Sequence, residues 1–418
     1  MIKLTRPDDT TLDTAIASFM NTIKENEEFK INFEYIKSKQ EEIEKFIQIG
    51  KTEKLNPENQ LIVLRKWNSY TPVLPPKNDE YINKGGGYFI RIGLVGIVID
   101  PGFNFIENFL RAGFKLDDID HIFISHAHND HTTELEGIFA LLFKRNRNAK
   151  EHGNGYHKIK LYMNLGSFKK FAGYFDLSKP DPNSYIDDIV LLNKHQMIKI
   201  SNDIEVFTTK AQHHEMITCD YALGFIFKFN SPNGDYRTVK FTCDTGWNES
   251  IEKENRQACE SFLIDKTNIL VAHNGSIKEK ELNYDTSKKL SENIENLYDN
   301  HLGLIGTFAM IHYYKPEIAL ISEFGEEMNA IRHYIAETIR AFINKDVFAI
   351  DLNFRIDIDT LEIMCFKDRR YYNPKEIKTL YDQKHQLYYI NPANLNPTEK
   401  MEPQNHLGKG IKVFPTIE

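Results

Sequence analysis

The sequence Ser-His-Ala-His-Asn-Asp-His occupies residues 125–131 and lies between a short apolar run and a helical pattern. Three imidazoles and one carboxylate therefore follow a buried strand directly. Imidazole and carboxylate groups are good ligands for Zn and similar divalent metals. His126 and His128, two residues apart on an extended turn, can hold one metal, and Asp130 and His131 can hold a second. The motif predicts a centre for two divalent metal ions.

The composition narrows the class of protein. The 418 residues suffice for one large or two ordinary domains, and 41% of them are hydrophobic. Lys and Arg number 52 against 60 Asp and Glu, so the formal charge of −8 argues against nucleic-acid binding through overall basicity. The histidines number 15, and four of them fall between positions 121 and 131.

Cysteine content and hydropathy indicate a compartment. Four scattered cysteines are too few for a disulfide scaffold or a Cys-rich zinc module, and a reducing cytoplasm suits them. The sequence has no run of about 18 apolar residues, and the N-terminus MIKLTRPDDTTLD lacks the apolar core of a signal peptide. We therefore expect a cytoplasmic protein that does not contact a membrane.

Short β-rich runs alternate with helical patterns along most of the chain. LIVLRKW at 61–67, GYFIRIG at 87–93 and VGIVID at 95–100 form an antiparallel start, and the later strands are interleaved with helices. This order predicts an α/β fold, an αββα sandwich of two mixed β-sheets flanked by helices. The main domain is expected over 61–366, and a C-terminal extension packed on the core over 367–418.

Residues 1–60 are expected to form an N-terminal helical extension. Leu12, Ile16 and Phe19 begin one apolar stripe at helical spacing, and Phe33 and Ile36 begin a second. Two interpretations remain open for these helices. They either pack on the main domain or form a dimerisation arm that would make the protein a homodimer.

The H-x-H-x-D-H string resembles the signature of the metallo-β-lactamase superfamily, and a second landmark agrees with it. The segment Ile-Asp-Pro-Gly at 99–102 is similar to the strand-end Asp-x-Gly segment that precedes the signature in that family. The resemblance implies that Asp100 supports the signature loop from behind the ligands. The alternative is an ordinary aspartate at a strand-to-turn junction.

The resemblance implies further metal ligands downstream. The first metal needs a third histidine at a strand end, and His213 is favoured by strand spacing, with His214 as its close competitor. The carboxylate that bridges both metals is expected in FTCDTGW, at Asp244. Its neighbour Cys243 is expected to be buried and structural rather than a ligand, because side chains alternate along a strand.

The chain departs from the family at its last ligand. Where the family carries a histidine after a late strand, this sequence has ALISEFGEEM, which places Glu323 at that position. A carboxylate makes the second metal position richer in oxygen, so Mn or Fe could replace the favoured Zn. Glu323 could instead only cap the helix that follows.

His273 and His301 lie where phosphodiesterase members such as the tRNase Z-like enzymes carry polar residues near the leaving group. The resemblance implies that one of the two donates a proton, while Asp130 and Asp244 orient a hydroxide that bridges the metals. Taken singly, each histidine is also explained as an ordinary polar or capping residue.

The reaction class implied is hydrolysis. A phosphodiester is favoured as substrate, in a small molecule or a nucleic acid, partly because the basic run at 144–150 could contact phosphates. That run is also explained as a solvated helix end. An amide, lactone or thioester hydrolase and an inactive metal-binding sensor or scaffold are the alternatives. Residues 69–71 and the turn at 85–87 are expected at the substrate rim.

Overall fold

The structure is a computed structural model of the chain. It describes residues 11–47, 49–68, 85–151, 153–175, 185–215, 217, 221–230, 235–328, 331–365, 369–382 and 387–391. The chain divides into two compact units, Met1–Ile49 and Gly50–Glu418. No helix in the described part of the chain is long and apolar enough to cross a membrane.

The first unit contains two helices, α1 (Leu12–Glu25) and α2 (Glu27–Phe46). They are separated by Asn26, whose side chain accepts a hydrogen bond from the backbone N–H of Phe29 and so caps α2. The two apolar stripes of the sequence therefore lie on helices as expected. The described residues give no support for a homodimer formed through these helices, which remains a prediction.

The second unit contains the remaining elements. The strands are β1 (Asn59–Val63), β2 (Tyr88–Ile92), β3 (Val95–Ile99), β4 (His121–Ile124), β5 (Ile159–Met163), β6 (Ile186–Leu191), β7 (Met197–Lys199), β8 (Ile204–Lys210), β9 (Leu223–Asn230), β10 (Tyr236–Phe241), β11 (Ile269–Gly275), β12 (Ile318–Phe324), β13 (Asp346–Ala349), β14 (Arg355–Asp357), β15 (Ile363–Met364), β16 (Tyr371–Tyr372), β17 (Lys378–Asp382) and β18 (Leu387–Asn391). The helices are α3 (Phe105–Arg111), α4 (Asn129–Thr132), α5 (Leu135–Glu151), α6 (Leu165–Phe171), α7 (Glu249–Ser261), α8 (Glu279–Leu282), α9 (Gly303–Tyr314) and α10 (Arg332–Ile343).

The strands of the described residues form two large mixed sheets and a hairpin. The first sheet has the order β16-β15-β14-β1-β2-β3-β4-β5-β6, and the second has the order β13-β12-β11-β10-β9-β8-β7. In the first sheet β3 to β6 run parallel, and in the second β10 to β13 run parallel. Strands β17 and β18 pair only with each other.

The main core lies between the two sheets. It includes Val63 and Ile97 of the first sheet and Phe227 and Val271 of the second, all fully buried. Helices α9 and α10 cover the outer face of the second sheet. On the first sheet, Phe89 of β2 packs against the α3 ring of Phe109 at 5.0 Å between ring centroids. The predicted αββα sandwich is therefore confirmed.

Three features of the fold differ from the sequence prediction. The chain from Gly50 to Asn59 belongs with the second unit, since Lys51 Nζ pairs with Asp120 and Thr52 with Asp118. Strand β16 forms an edge of the first sheet, whereas the sequence predicted an extension that only packs on the core from residue 367. The sequence pattern also predicts one long helix over 325–344, but α10 begins only at Arg332, after a short 3-10 turn.

Candidate metal centre

The predicted site residues come together at one end of the sandwich, because strands of both sheets end there. Asp100 follows β3, the signature segment follows β4, and Asp244 lies three residues after β10. Glu323 lies near the end of β12. Carboxyl ends of neighbouring parallel strands meet at one edge of a sheet, so residues far apart in sequence reach one place.

The first group of ligand atoms consists of three imidazoles and one carboxylate: His126, His128, His213 and Asp244. His128 Nδ1 lies 3.1 Å from His126 Nε2 and 3.2 Å from His213 Nε2. Asp244 Oδ2 lies 3.7 Å from His126 Nε2. Two nitrogens bound tetrahedrally at the usual zinc distance are separated by about 3.3 Å, so this spacing fits one metal ion.

The second group consists of one imidazole and three carboxylates: Asp130, His131, Asp244 and Glu323. His131 Nε2 lies 3.2 Å from Asp130 Oδ2, 3.3 Å from Asp244 Oδ2 and 3.8 Å from Glu323 Oε2. This nitrogen is buried and has no hydrogen bond of good geometry to any described residue. A cation among these four groups would satisfy both the lone pair and the carboxylates, so the donor set fits a second metal ion.

Asp100 holds two residues of the signature segment from behind. Its Oδ2 accepts hydrogen bonds from Ser125 Oγ at 2.6 Å and from His131 Nδ1 at 3.0 Å, and its Oδ1 accepts one from the Ser125 backbone N–H at 2.8 Å. With Nδ1–H donated to Asp100, the Nε2 lone pair of His131 faces the second group. Asp100 thus has the supporting geometry, and it is not among the atoms of either group.

Three residues at the site have a strained backbone. Asp100, Cys243 and Glu323 have left-handed backbones with φ of 48°, 50° and 55°. Non-glycine residues rarely adopt this conformation, and at each of these positions it turns the chain sharply near the end of a strand. The turn after β3 is also tight, since a Cβ on Gly102 would lie 1.6 Å from the carbonyl oxygen of Asp130.

The electrostatics of the site favour neutral histidines in the first group and a cation in the second. Burial lowers the pKa of His126 well below its ordinary value and lowers the pKa of His128 as well. Both rings therefore present lone pairs at neutral pH. Burial would raise the pKa of Asp130, but His131 and Arg65 lower it to about 2. Burial lowers the pKa of His131, yet the surrounding carboxylates raise it well above its ordinary value.

His273 and His301 occupy different sides of the site. His273 is fully buried, and its Nδ1 lies 2.9 Å from Glu323 Oε1 and 3.4 Å from Asp244 Oδ1. His301 lies on the open side, with 17% of its side chain exposed and its Nδ1 3.7 Å from Asp244 Oδ2. Of these two histidines, His301 therefore combines contact with the site and access from solvent.

Some sequence candidates lie elsewhere. His214 is exposed and in neither group, whereas its neighbour His213 is buried and donates from Nδ1 to the Asn300 carbonyl at 2.7 Å. The predicted rim residues Ser69, Tyr70 and Thr71 lie outside the described residues. The turn at 85–87 is buried rather than on a rim, because a Cβ on Gly86 would lie 1.7 Å from the Leu64 carbonyl oxygen.

The basic run at 144–150 lies in the second half of α5. Arg145 is buried and forms a bidentate pair with Asp117, with Nε and Nη2 each 2.6 Å from a carboxylate oxygen. The run lies toward the far end of α5, which begins at Leu135 beside the signature segment. A helical rise of 1.5 Å per residue places Lys144 about 13 Å further along the axis. Arg145 is thus engaged inside the fold, whereas Lys144, Arg147 and Lys150 are exposed, and contact of these three with phosphate stays a prediction.

Two buried residues at the site were missed from the sequence. Arg65 lies 3.3 Å from carboxylate oxygens of both Asp130 and Glu323, although its run LIVLRKW predicted only a strand. Glu215 accepts hydrogen bonds from the backbone N–H of Ala127 at 2.8 Å and from Asn164 Nδ2 at 3.1 Å. The sequence offered one signal for each residue. Arg65 is a charged residue in an apolar run, and Glu215 is a carboxylate directly after two histidines.

The fold and the clustered donors define an αββα protein with a candidate two-metal centre. Residues 96–274 match the model of the family described as the beta-lactamase superfamily domain. This match over residues 96–274 agrees with the superfamily that the signature indicated.

Several solved structures are similar to the chain. YhfI, a metallo-β-lactamase fold protein from Bacillus subtilis, is 12% identical, with 71% of this chain and 98% of that chain covered at a TM-score of 0.47. The short form of human tRNase Z is 13% identical, with 72% of this chain and 99% of that chain covered at a TM-score of 0.47. Zn²⁺-bound PqqB from Methylobacterium extorquens is 8% identical, with 71% of this chain and 99% of that chain covered at a TM-score of 0.46. Among curated proteins no match is found.

Proposed function

We propose that the chain is a dinuclear metal-dependent hydrolase and that a phosphodiester is its substrate. The observation that carries the proposal is the position of Asp244, whose carboxylate belongs to both groups of ligand atoms. A carboxylate shared between an imidazole-rich group and a carboxylate-rich group is what a bridged pair of metal ions requires.

The two groups differ in chemistry, and we assign their ions accordingly. His126, His128 and His213 with Asp244 would hold the first ion, and this nitrogen-rich set favours Zn. Asp130, His131, Asp244 and Glu323 would hold the second ion. This oxygen-rich set also suits Mn or Fe. When bound, the ions supply an activated water and charge stabilisation at the attacking and leaving oxygens.

The side chains around the ions have separate tasks in this mechanism. Asp130 and Asp244 accept hydrogen bonds and so orient the attacking water. His301 donates a proton to the leaving oxygen, because it lies beside Asp244 on the open side of the site. His273 is fully buried, and it holds Glu323 and Asp244 in place through Nδ1 rather than meeting the substrate.

The choice of a phosphodiester depends on His301. A poor alkoxide leaving group needs a proton, and an accessible imidazole beside the shared carboxylate supplies one. The substrate is either a small-molecule phosphodiester or a short nucleic acid held by the metal centre, since the formal charge of −8 disfavours binding through overall basicity. Amide, lactone and thioester hydrolysis are the competing reactions of the same centre.

An assay on a matched panel of substrates tests the proposal. Metal-loaded protein is offered bis(p-nitrophenyl) phosphate and short oligonucleotides beside ester, lactone, thioester and lactam substrates. We expect turnover of the phosphodiesters, and its loss in Asp130→Ala and Asp244→Ala. Turnover confined to the other substrates would overturn the phosphodiester assignment. Turnover that persists in both variants would overturn the site assignment, and inactivity on every substrate would favour a sensor or scaffold.

A further inference from the structure

Arg65 is a fully buried cation beside the second group. Its Nε lies 3.3 Å from Glu323 Oε1, and its Nη2 lies 3.3 Å from Asp130 Oδ2. It also donates to the backbone carbonyls of Trp67 at 3.3 Å and Gly86 at 3.4 Å. Burial lowers the pKa of Arg65, but Glu323 and Asp130 raise it above its ordinary value, so the guanidinium is charged.

The two oxygens of Glu323 have different surroundings. Oε1 lies 3.3 Å from Arg65 Nε, 2.9 Å from His273 Nδ1 and 3.4 Å from the Tyr88 hydroxyl. Oε2 lies 3.8 Å from His131 Nε2, on the side of the second group. One oxygen is thus fixed by donors, and the other is presented to the metal position.

The charges of the pair cancel. Superfamily members with a histidine at this position supply a neutral ligand, whereas Glu323 brings one negative charge. We infer that Arg65 and Glu323 act as one neutral unit that replaces this histidine, with Arg65 as the positioning residue that fixes Glu323 and balances its charge. The inference rests on the proposed function, because it assumes that the second group binds a metal ion.

The pairing predicts that histidine alone is not tolerated at position 323. In Glu323→His the buried guanidinium loses one of its two carboxylate partners. It keeps Asp130, which itself belongs to the second group, and it faces a divalent cation a few ångströms away. A buried charge with too little compensating charge is unfavourable, and two cations repel. Replacing Arg65 by methionine in the same protein removes the charge and keeps an apolar side chain of similar length, so the second metal should return.

Metal titration of the full-length apoprotein tests this cycle. Co²⁺ is added to the wild type, Glu323→His and Arg65→Met/Glu323→His, and its binding is followed by the Co²⁺ absorption spectrum and by elemental analysis after desalting. We expect two ions in the wild type and a second ion bound on the order of tenfold or more weakly in Glu323→His. The double variant should bind it within about threefold of the wild type.

Controls separate charge pairing from misfolding. Retention of the first ion in Glu323→His shows that the variant is folded. Arg91→Met removes another buried arginine, paired with Asp118 at 3.6 Å and remote from the ligand atoms, and it should leave both ions bound. If Glu323→His does not fold, the test is made on the single variant Arg65→Met instead. The thermal stabilisation produced by metal should then exceed that of the wild type, because metal replaces the positive charge that Arg65 supplied beside Glu323.

The outcomes have distinct meanings. Two ions bound by Glu323→His as tightly as by the wild type would overturn the inference, and so would a double variant no better than Glu323→His. In the Arg65→Met experiment, a thermal stabilisation equal to or below that of the wild type would overturn it too. Fewer than two ions in the wild type would instead overturn the proposed function.

Discussion

Asp100 belongs to neither group of ligand atoms. Its carboxylate nevertheless fixes the ring of His131 and the turn at Ser125 through hydrogen bonds. Asp100→Asn keeps the size of the side chain and tolerates the left-handed backbone, but its amide cannot accept from both donors at Oδ2. We expect metal affinity at the second group to fall by about 10- to 100-fold, because supporting hydrogen bonds of ligands have effects of this size. Equilibrium metal titration measures it, and unchanged affinity would show that Asp100 has no supporting role.

His121 gives the protein a pH dependence that is independent of the metal centre. Burial lowers its pKa to about 4, and its Nδ1 accepts from the Tyr162 hydroxyl at 3.3 Å. The unfolded chain binds a proton near pH 6.5 and the folded chain does not, so stability is lost as the pH falls from about 6.5 to 4. The full loss is about 3 kcal/mol.

Urea unfolding of the wild type and His121→Gln at pH 7 and pH 5 checks this dependence. Contributions of the metal centre are common to both proteins and cancel in the difference. We expect the wild type to lose more unfolding free energy between the two pH values than the variant does. Equal losses would contradict the lowered pKa of His121.

At the scale of single residues, sequence was informative where the chemistry is local. His126, His128, Asp130 and His131 lie within six positions, so their convergence follows from one short turn. The choice of His213 over His214 depends on which side chain turns inward after β8, and spacing only favoured it. Arg65 could not be assigned, because its carboxylate partners lie 65 and 258 positions away.

At the scale of elements, Glu215 joins the segment after β8 to the signature segment and the start of α6. It accepts from Ala127 N–H and Asn164 Nδ2, and a Cβ on Gly166 would lie 2.2 Å from its carboxylate. Glu215→Ala leaves a buried N–H unsatisfied. We expect a loss of about 1–3 kcal/mol of unfolding free energy and weaker binding of the first metal ion.

The neighbouring substitution His214→Ala is the matched control for Glu215→Ala. His214 is exposed and lies in neither group, so its loss should change neither stability nor metal content. Chemical denaturation and metal titration of both variants make the comparison. Equal effects of the two substitutions would contradict the role given to Glu215, and loss of metal in His214→Ala alone would exchange the assignments of His213 and His214.

Most elements follow from periodicity, and the exceptions have local causes. Gly93 and Gly96 between two β-rich runs predict a tight hairpin, and β2 and β3 pair Ile92 with Val95 across a two-residue turn. The helix expected from 325 starts late because the left-handed backbone of Glu323 and the 3-10 turn Glu326–Met328 redirect the chain first. Apolar spacing alone does not show such a turn.

At the scale of the whole molecule, fold class was predictable and strand partners were not. Alternating strands and helices indicated the αββα sandwich. The pairing of Gln60 in β1 with Asp357 in β14 joins segments almost 300 residues apart, and hydrophobic period carries no information about such partners. The same long-range pairing places β16 in the first sheet, where the sequence predicted a peripheral tail.

Because strands of both sheets converge at the metal centre, metal binding should stabilise the second unit as a whole. A ligand that binds only the folded state adds about 3 kcal/mol when its free concentration is a hundredfold above Kd. We expect chelation with EDTA to lower the Tm of the wild type by several degrees, as differential scanning calorimetry would show. Without EDTA, Asp244→Asn should already have a Tm close to that of the chelated wild type, and EDTA should lower its Tm little. Equal responses of the two proteins would contradict coupling through this site.

The metal content of the purified full-length protein tests the central claim most directly. Elemental analysis after removal of loosely bound ions should give two divalent metal ions per chain in the wild type. Asp244→Asn should retain at most one, because its carboxylate belongs to both groups. A wild type with no bound metal, or with one ion that Asp244→Asn retains, would contradict the two-metal centre.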